Sequence, residues 1–225
     1  MKQSFAQYVN EFNASLVIET ELPAGVSAMN PFKKESALTI SQQFNDAFYN
    51  DKNKRIGLFG INPGRFGAGI TGIPFTDPIR LQEDCGIENP FGKRPEMSSD
   101  FIYQVIRRYG GPEAFYGDFF LTAVCPLGFV KDGKNMNYYD SNKLQEAVHP
   151  FIIKTLKQQI EFGLDTRYAI CLGEGKNYKY LNQVNKEHRF FDEIIPLAHP
   201  RYIMQYKRRY LNEYIQKYLE ALQQS

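Results

Sequence analysis

Apolar positions fall into helical and strand-like periods that alternate along most of the chain. Residues 5–12 and 35–48 carry them at helical spacing, separated by LPAGVSAMNPF, whose prolines, glycine and asparagine predict a loop. A short apolar run at 56–59 then breaks into a glycine-rich segment, the pattern of a buried parallel strand feeding a loop. An irregular stretch reaches Ser99. Residues 100–109 predict a helix with Ser99 or Asp100 as its cap and Gly110 and Gly111 as its stop.

Further apolar runs at 119–124, 168–172 and 193–197 predict three more strands. Between them, residues 142–162 place Leu144, Val148, Phe151, Ile152, Leu156 and Ile160 at helical spacing, with Pro150 expected to kink the helix or mark its start. GEGKNYKYL reads as a glycine turn opening another helix, and residues 207–222 as an amphipathic terminal helix. Strands alternating with helices predict an α/β fold: a central, mostly parallel four-stranded sheet flanked by helices in three layers, with the ligand site at the carboxyl ends of the strands. The 225 residues, 43% of them hydrophobic, suit one domain spanning 1–225, and the first fifty or so are expected to pack on its core as a helical preface.

Composition narrows the partners. A formal net charge of +2 is far from a uniformly basic protein, so charge for a nucleic acid must be local. The 15 Tyr and 18 Phe suit both a core and base-stacking surfaces. The start, MKQSFAQYVNEF, lacks the apolar stretch of a signal peptide and no run is long enough for a membrane helix, so a cytoplasmic address without membrane contact is expected. Cys85, Cys125 and Cys171 are widely spaced with no C-x-x-C pair; two of the three lie in apolar, strand-like surroundings, where buried structural thiols are expected, with no disulfide framework, no metal and no cofactor.

The densest chemical signal is G60-I-N-P-G-R-F-G-A-G-I-T-G-I-P-F75, directly after a predicted strand. Glycines let a backbone approach a ligand and converge its N–H groups, while Pro63 and Pro74 restrict the loop, so it suits a phosphate or a flat base. The spacings of nucleoside triphosphate and dinucleotide loops are missing. A second signal is His199 in L-A-H-P-R-Y, again after a strand. It is either a donor to charge developing on a leaving group or a turn residue capping its neighbours.

Together the two loops resemble the single-strand-selective monofunctional branch of the uracil-DNA glycosylase superfamily. The likeness extends in order through L22-P-A-G, N30-P-F, V124-C-P-L-G-F and L172-G-E-G-K. The resemblance implies a monofunctional DNA glycosylase, acting on uracil or a related deaminated or oxidised base in base excision repair. It implies Asn62 as the residue that positions the attacking water and His199 as the donor to the pyrimidine O2. It also implies Phe75 as the ring on which the extruded base stacks, with Gly60, Ile61 and Gly64 shaping the base pocket.

Two departures from the family pattern matter. The family's central strand carries an asparagine that reads the pyrimidine edge, and here that position is Ala123, whose methyl cannot hydrogen-bond. Thr122 should face the other way along the strand, which leaves Thr71, backbone groups or another side chain to do the reading. After His199 the run R201-Y-I-M-Q-Y-K-R-R209 replaces the family's wedge. Arg201, Lys207, Arg208 and Arg209 are candidate DNA contacts, and Tyr202, Ile203 and Met204 candidate stacking or intercalating groups. Arg65 and Lys176, each in a glycine-rich loop, are further phosphate candidates. No lysine lies inside either catalytic motif, which favours hydrolysis over lyase chemistry. A monomer acting on single- or double-stranded DNA is expected. A non-catalytic DNA-binding module and a nucleoside or nucleotide hydrolase are the rival readings.

Overall fold

The computed structural model describes residues 3–223. In order the chain forms α1 (Phe5–Ser15), β1 (Val26–Met29), α2 (Glu35–Phe48), β2 (Arg55–Gly60), α3 (Ala68–Thr71), α4 (Pro78–Glu83), α5 (Met97–Tyr109), α6 (Pro112–Asp118), β3 (Phe119–Ala123), β4 (Gly128–Lys131), β5 (Lys134–Met136), α7 (Asn142–Glu161), β6 (Leu164–Leu172), α8 (Lys176–His188), β7 (Glu193–Leu197), α9 (Pro200–Tyr206) and α10 (Leu211–Leu222).

The central sheet has the order β3-β2-β6-β7 with every neighbouring pair parallel. Every residue of β2 and β3 is buried, because helices cover both faces, and this is why these strands read as continuous apolar runs. From β2 the chain moves to one side to form β3 and then crosses back to form β6. The switch in direction opens a crevice between β2 and β6 at their carboxyl ends. Asn177 fills its base: the buried amide donates to Gly60 O at 3.3 Å and Leu172 O at 3.4 Å, and its oxygen accepts from the Tyr138 hydroxyl at 2.9 Å.

The N-terminal helices share the core of the sheet. Phe5 of α1 packs edge-on to Phe120 and Phe162, and Phe44 of α2 packs edge-on to Tyr116. Arg55, fully buried at the start of β2, lies over the rings of Phe5 and Tyr49 and forms an ion pair with Asp51 at 2.7 Å. Its Nε donates to Tyr116 O at 2.7 Å, which ties α6 to the same point.

The segment after Leu22 is not all loop: Val26–Met29 pairs antiparallel with β4, and β4 with β5, making a second sheet of order β1-β4-β5. Lys131, Asp132, Gly133 and Lys134 form its hairpin turn, with Asp132 and Gly133 both at positive φ; an Asp-Gly pair is the ordinary sequence signal for such a turn. The stretch before Ser99 contains α4, capped by the Asp77 side chain on the N–H groups of Ile79 and Arg80, with Pro78 in the first turn. Helix α5 starts earlier than expected, and its cap is Glu96, which accepts from Ser99 N–H at 2.9 Å, not Ser99 or Asp100. Helix α7 runs through Pro150, which is exposed, so water can reach the carbonyl that proline leaves unpaired. The terminal helix begins at Leu211; Lys207 ends α9, and Arg208–Tyr210 is a single 3₁₀ turn.

Candidate functional site

A cavity of about 480 Å³ opens at the carboxyl ends of β2 and β3 and is lined by the loop after β2, the end of β3, the β5 region and α9. It brings together Asn62, Phe75, Ala123 and His199, four positions separated in sequence by up to 137 residues (199 minus 62). Parallel strands cause this convergence, since each of their carboxyl ends reaches the same edge of the sheet.

Asn62 stands two residues beyond β2, where strand pairing persists through Val124 N–H to Gly60 O at 3.0 Å and Cys125 N–H to Ile61 O at 3.1 Å. Its side chain is held on two sides. Oδ1 accepts from Tyr138 N–H at 3.0 Å, and Nδ2 donates to Met136 O at 3.3 Å. These contacts fix which end of the amide faces which way and leave the carbonyl oxygen one further lone pair for a water. Tyr138 is itself anchored by Asn177, so the asparagine is set by a buried chain that starts in the crevice between β2 and β6.

His199 caps α9. Its Nδ1 accepts from Arg201 N–H at 3.1 Å, which places the ring proton on Nε2. Burial, and after it the Arg201 charge, lower its pKa to about 4, so the ring is a neutral donor near pH 7. The loop carrying it is tied from behind by the Tyr218 hydroxyl of α10, which donates to Ala198 O.

Phe75 lies beside this histidine, with ring centroids 5.9 Å apart and planes at 47°. Its φ of +53° is in the left-handed region, uncommon for a bulky residue. Buried hydroxyls secure the turn: Thr71 donates to Thr76 O at 2.7 Å, and Thr76 meets the Tyr103 hydroxyl at 3.0 Å. The ring also rests on Gly60, where an added Cβ would lie 2.8 Å from Phe75 Cε2 and Cζ. Gly60 pairs with Ala123 across β2 and β3, and Ala123 presents a buried methyl to the cavity.

Thr122 also borders the cavity, but its hydroxyl is engaged in donating to Gln159 at 2.6 Å. Thr71 is spent on its own turn and does not line the cavity, so the expectation that it could replace the missing asparagine fails. The polar side chains on the wall besides Asn62 include Asn135, Asn137, Glu96 and Ser98. Asn135 and Asn137 follow from the Asp-Gly hairpin, which the alternation of longer elements did not reveal.

Ile61, Gly64 and Arg65 line the cavity, as do the exposed Arg201 and Tyr202. Ile203 and Met204 do not serve as stacking groups at the surface: α9 packs against α5, and both residues are buried. Lys207, Arg208 and Arg209 lie beyond the cavity wall; Arg208 and Arg209 are exposed, the latter over the ring of Tyr210. Lys176 also lies outside it, exposed, with its ammonium 5.9 Å from the Tyr139 ring. Burial pushes the Cys125 and Cys171 thiols up to about 12, which keeps both protonated and unreactive. Among the described residues no group of acidic, histidine and cysteine side chains is arranged to hold a metal, and no helix is long and apolar enough to cross a membrane.

The family model described as the Uracil DNA glycosylase superfamily matches residues 47–223. The crystal structure of wild-type Pedobacter heparinus SMUG2 is similar at 45% sequence identity and a TM-score of 0.97, over 99% of this chain and 98% of that one.

Proposed function

Because the chain belongs to the uracil DNA glycosylase superfamily, and is thus a DNA glycosylase, we propose that it removes uracil or a related deaminated or oxidised base by hydrolysis alone, for base excision repair. In this reading the target nucleotide leaves the stack and its base enters the cavity against Phe75. The C1′–N bond breaks first, its electron pair leaving with the base as an anion, while the sugar acquires oxocarbenium character. His199 Nε2–H stabilises the charge on the base. Asn62 Oδ1 orients the water that adds to C1′; the proton it sheds passes to bulk water, and the base anion takes one up from there to leave as the neutral base. The observation that carries the reading is the neutral, oriented His199 facing the same cavity as the doubly held Asn62.

Hydrolysis without lyase chemistry is supported by the cavity wall, on which no lysine stands among the described residues, so no amine is placed to attack the sugar. With the methyl of Ala123 where the family pattern has an amide, recognition of the base edge falls to the remaining polar groups of the wall.

The test is free-base release from oligonucleotides carrying uracil, 5-hydroxymethyluracil, xanthine or hypoxanthine. The expected product is an abasic strand that breaks only after alkali. Absence of release from all four would remove the support for this reading, and breakage without alkali would refute the monofunctional part.

Gly60→Ala should slow release roughly 100-fold, the size of effect seen when a reacting group is displaced by about 1 Å, because the new Cβ drives Phe75 from its place. Single-turnover rates beside thermal melting will check this. A well-folded variant with the wild-type rate would mean that the Phe75 ring does not support the base.

A further inference from the structure

At the rim of the cavity, Phe66 is 40% exposed on the loop after β2, although a phenylalanine at such a place gains nothing from water. Two guanidinium groups rest on its ring, those of Arg65 and Arg94, each with its central carbon 5.1 Å from the ring centroid. The arginines come from separate loops, one after β2 and one just before α5, so the ring joins two segments at the mouth.

Neither guanidinium forms an ion pair among the described residues. The Arg65 Nε is buried and meets no acceptor there. Glu96, on the same cavity wall, directs its carboxylate to Ser99 N–H instead. With no carboxylate paired to either guanidinium, the quadrupole of the ring offsets their charge only in part. Both therefore keep donors free for an anion from outside. Guanidinium forks match the oxygens of a phosphodiester, and the neighbouring cavity of about 480 Å³ has room for a base.

We propose that Arg65 and Arg94, held apart and oriented by Phe66, form a clamp for the phosphodiester backbone of the DNA strand that bears the extruded nucleotide. The inference rests on the reading of the cavity as a base pocket. Phe66 acts as the support of the clamp, not as a surface for stacking bases. The clamp also supplies the local charge that a net charge of +2 does not.

The test is the salt dependence of binding to a single-stranded oligonucleotide carrying one 2′-fluoro-2′-deoxyuridine, which resists cleavage because fluorine disfavours the oxocarbenium ion. Arg94→Gln and Phe66→Leu are compared with Lys52→Gln, which removes the same charge from an exposed position before β2, at the opposite end of the sheet. Arg94→Gln should weaken binding roughly 5-fold near 0.1 M salt and reduce the slope of log K against log salt by about 0.7, the value for one phosphate contact on a single strand. Phe66→Leu should weaken binding and lower the slope in the same direction, and Lys52→Gln should leave both at wild-type values.

If the slope of Arg94→Gln equals that of Lys52→Gln, the clamp is overturned. So it is if Phe66→Leu loses affinity with its slope intact, since the ring would then be stacking a base directly. Base release by the wild type from the same four modified strands is scored separately. A protein inactive on all four with the expected slopes would refute the glycosidic reading and keep the clamp, and an active one with unchanged slopes would do the reverse.

Discussion

His199→Ala is expected to lower the single-turnover rate of base release by roughly 100- to 1,000-fold, the usual loss when one preorganised donor to a developing anion is removed. Affinity for the DNA strand should change far less, because the charge met by Nε2–H exists only as the bond breaks. His199→Gln, which can still present an N–H, should recover part of the rate. A His199→Ala enzyme within a few-fold of wild type would sink the assignment.

The pH profile tests the same group from another side. Burial and Arg201 depress the histidine pKa from 6.5 to about 4, so the neutral Nε2–H form persists until the pH approaches 4. Protonation would put a hydrogen on Nδ1 and break its acceptance from Arg201 N–H. The rate should therefore show no acid limb from His199 near pH 6.5, and a limb there that vanishes in His199→Gln would contradict a neutral donor. Stability follows the same sign. The folded state binds fewer protons than the unfolded chain between these values, so the contribution of His199 is present above pH 6.5 and is lost as pH falls toward 4.

Asn62→Ala is expected to cost roughly 100- to 10,000-fold in the single-turnover rate, the range for removing a group that aligns or deprotonates a nucleophile. The methyl leaves Tyr138 N–H and Met136 O without their partner, and the water without its guide. Asn62→Asp keeps an acceptor for Tyr138 N–H but sets a carboxylate oxygen against the Met136 carbonyl, so it should restore the rate only in part. Measured beside binding to the fluorinated strand, a loss confined to affinity would assign Asn62 to base recognition instead of water positioning.

Asn62 and His199 stand out in the sequence because each lies just after a strand, in a loop marked by glycine or proline that is visible in one dimension. The helix at residues 35–48 and the strand at 193–197 have in the structure the bounds that the sequence predicts. Short elements were less visible. Helix α4 spans six residues and the β4–β5 hairpin has strands of four and three, lengths over which periodicity says little. Their signals were local instead, Asp77-Pro78 for the helix start and Asp132-Gly133 for the turn.

The chain by itself determined an alternating α/β fold, the loops at its strand ends and the residue types able to orient a water, stack a base and donate to an anion. These depend on local period and turn chemistry, which are properties of neighbours in sequence. Tertiary structure alone decided the state of those groups. Asn62 is oriented by Tyr138 and Asn177, up to 115 residues away (177 minus 62), and His199 is neutral because folding removes it from water. Ile203 and Met204 are core residues because α9 lies on α5, while Arg65 and Arg94 meet on one phenylalanine because two loops converge at the carboxyl edge of a parallel sheet. Burial and convergence depend on what lies across the fold, and no window along the chain contains both sides of such a contact.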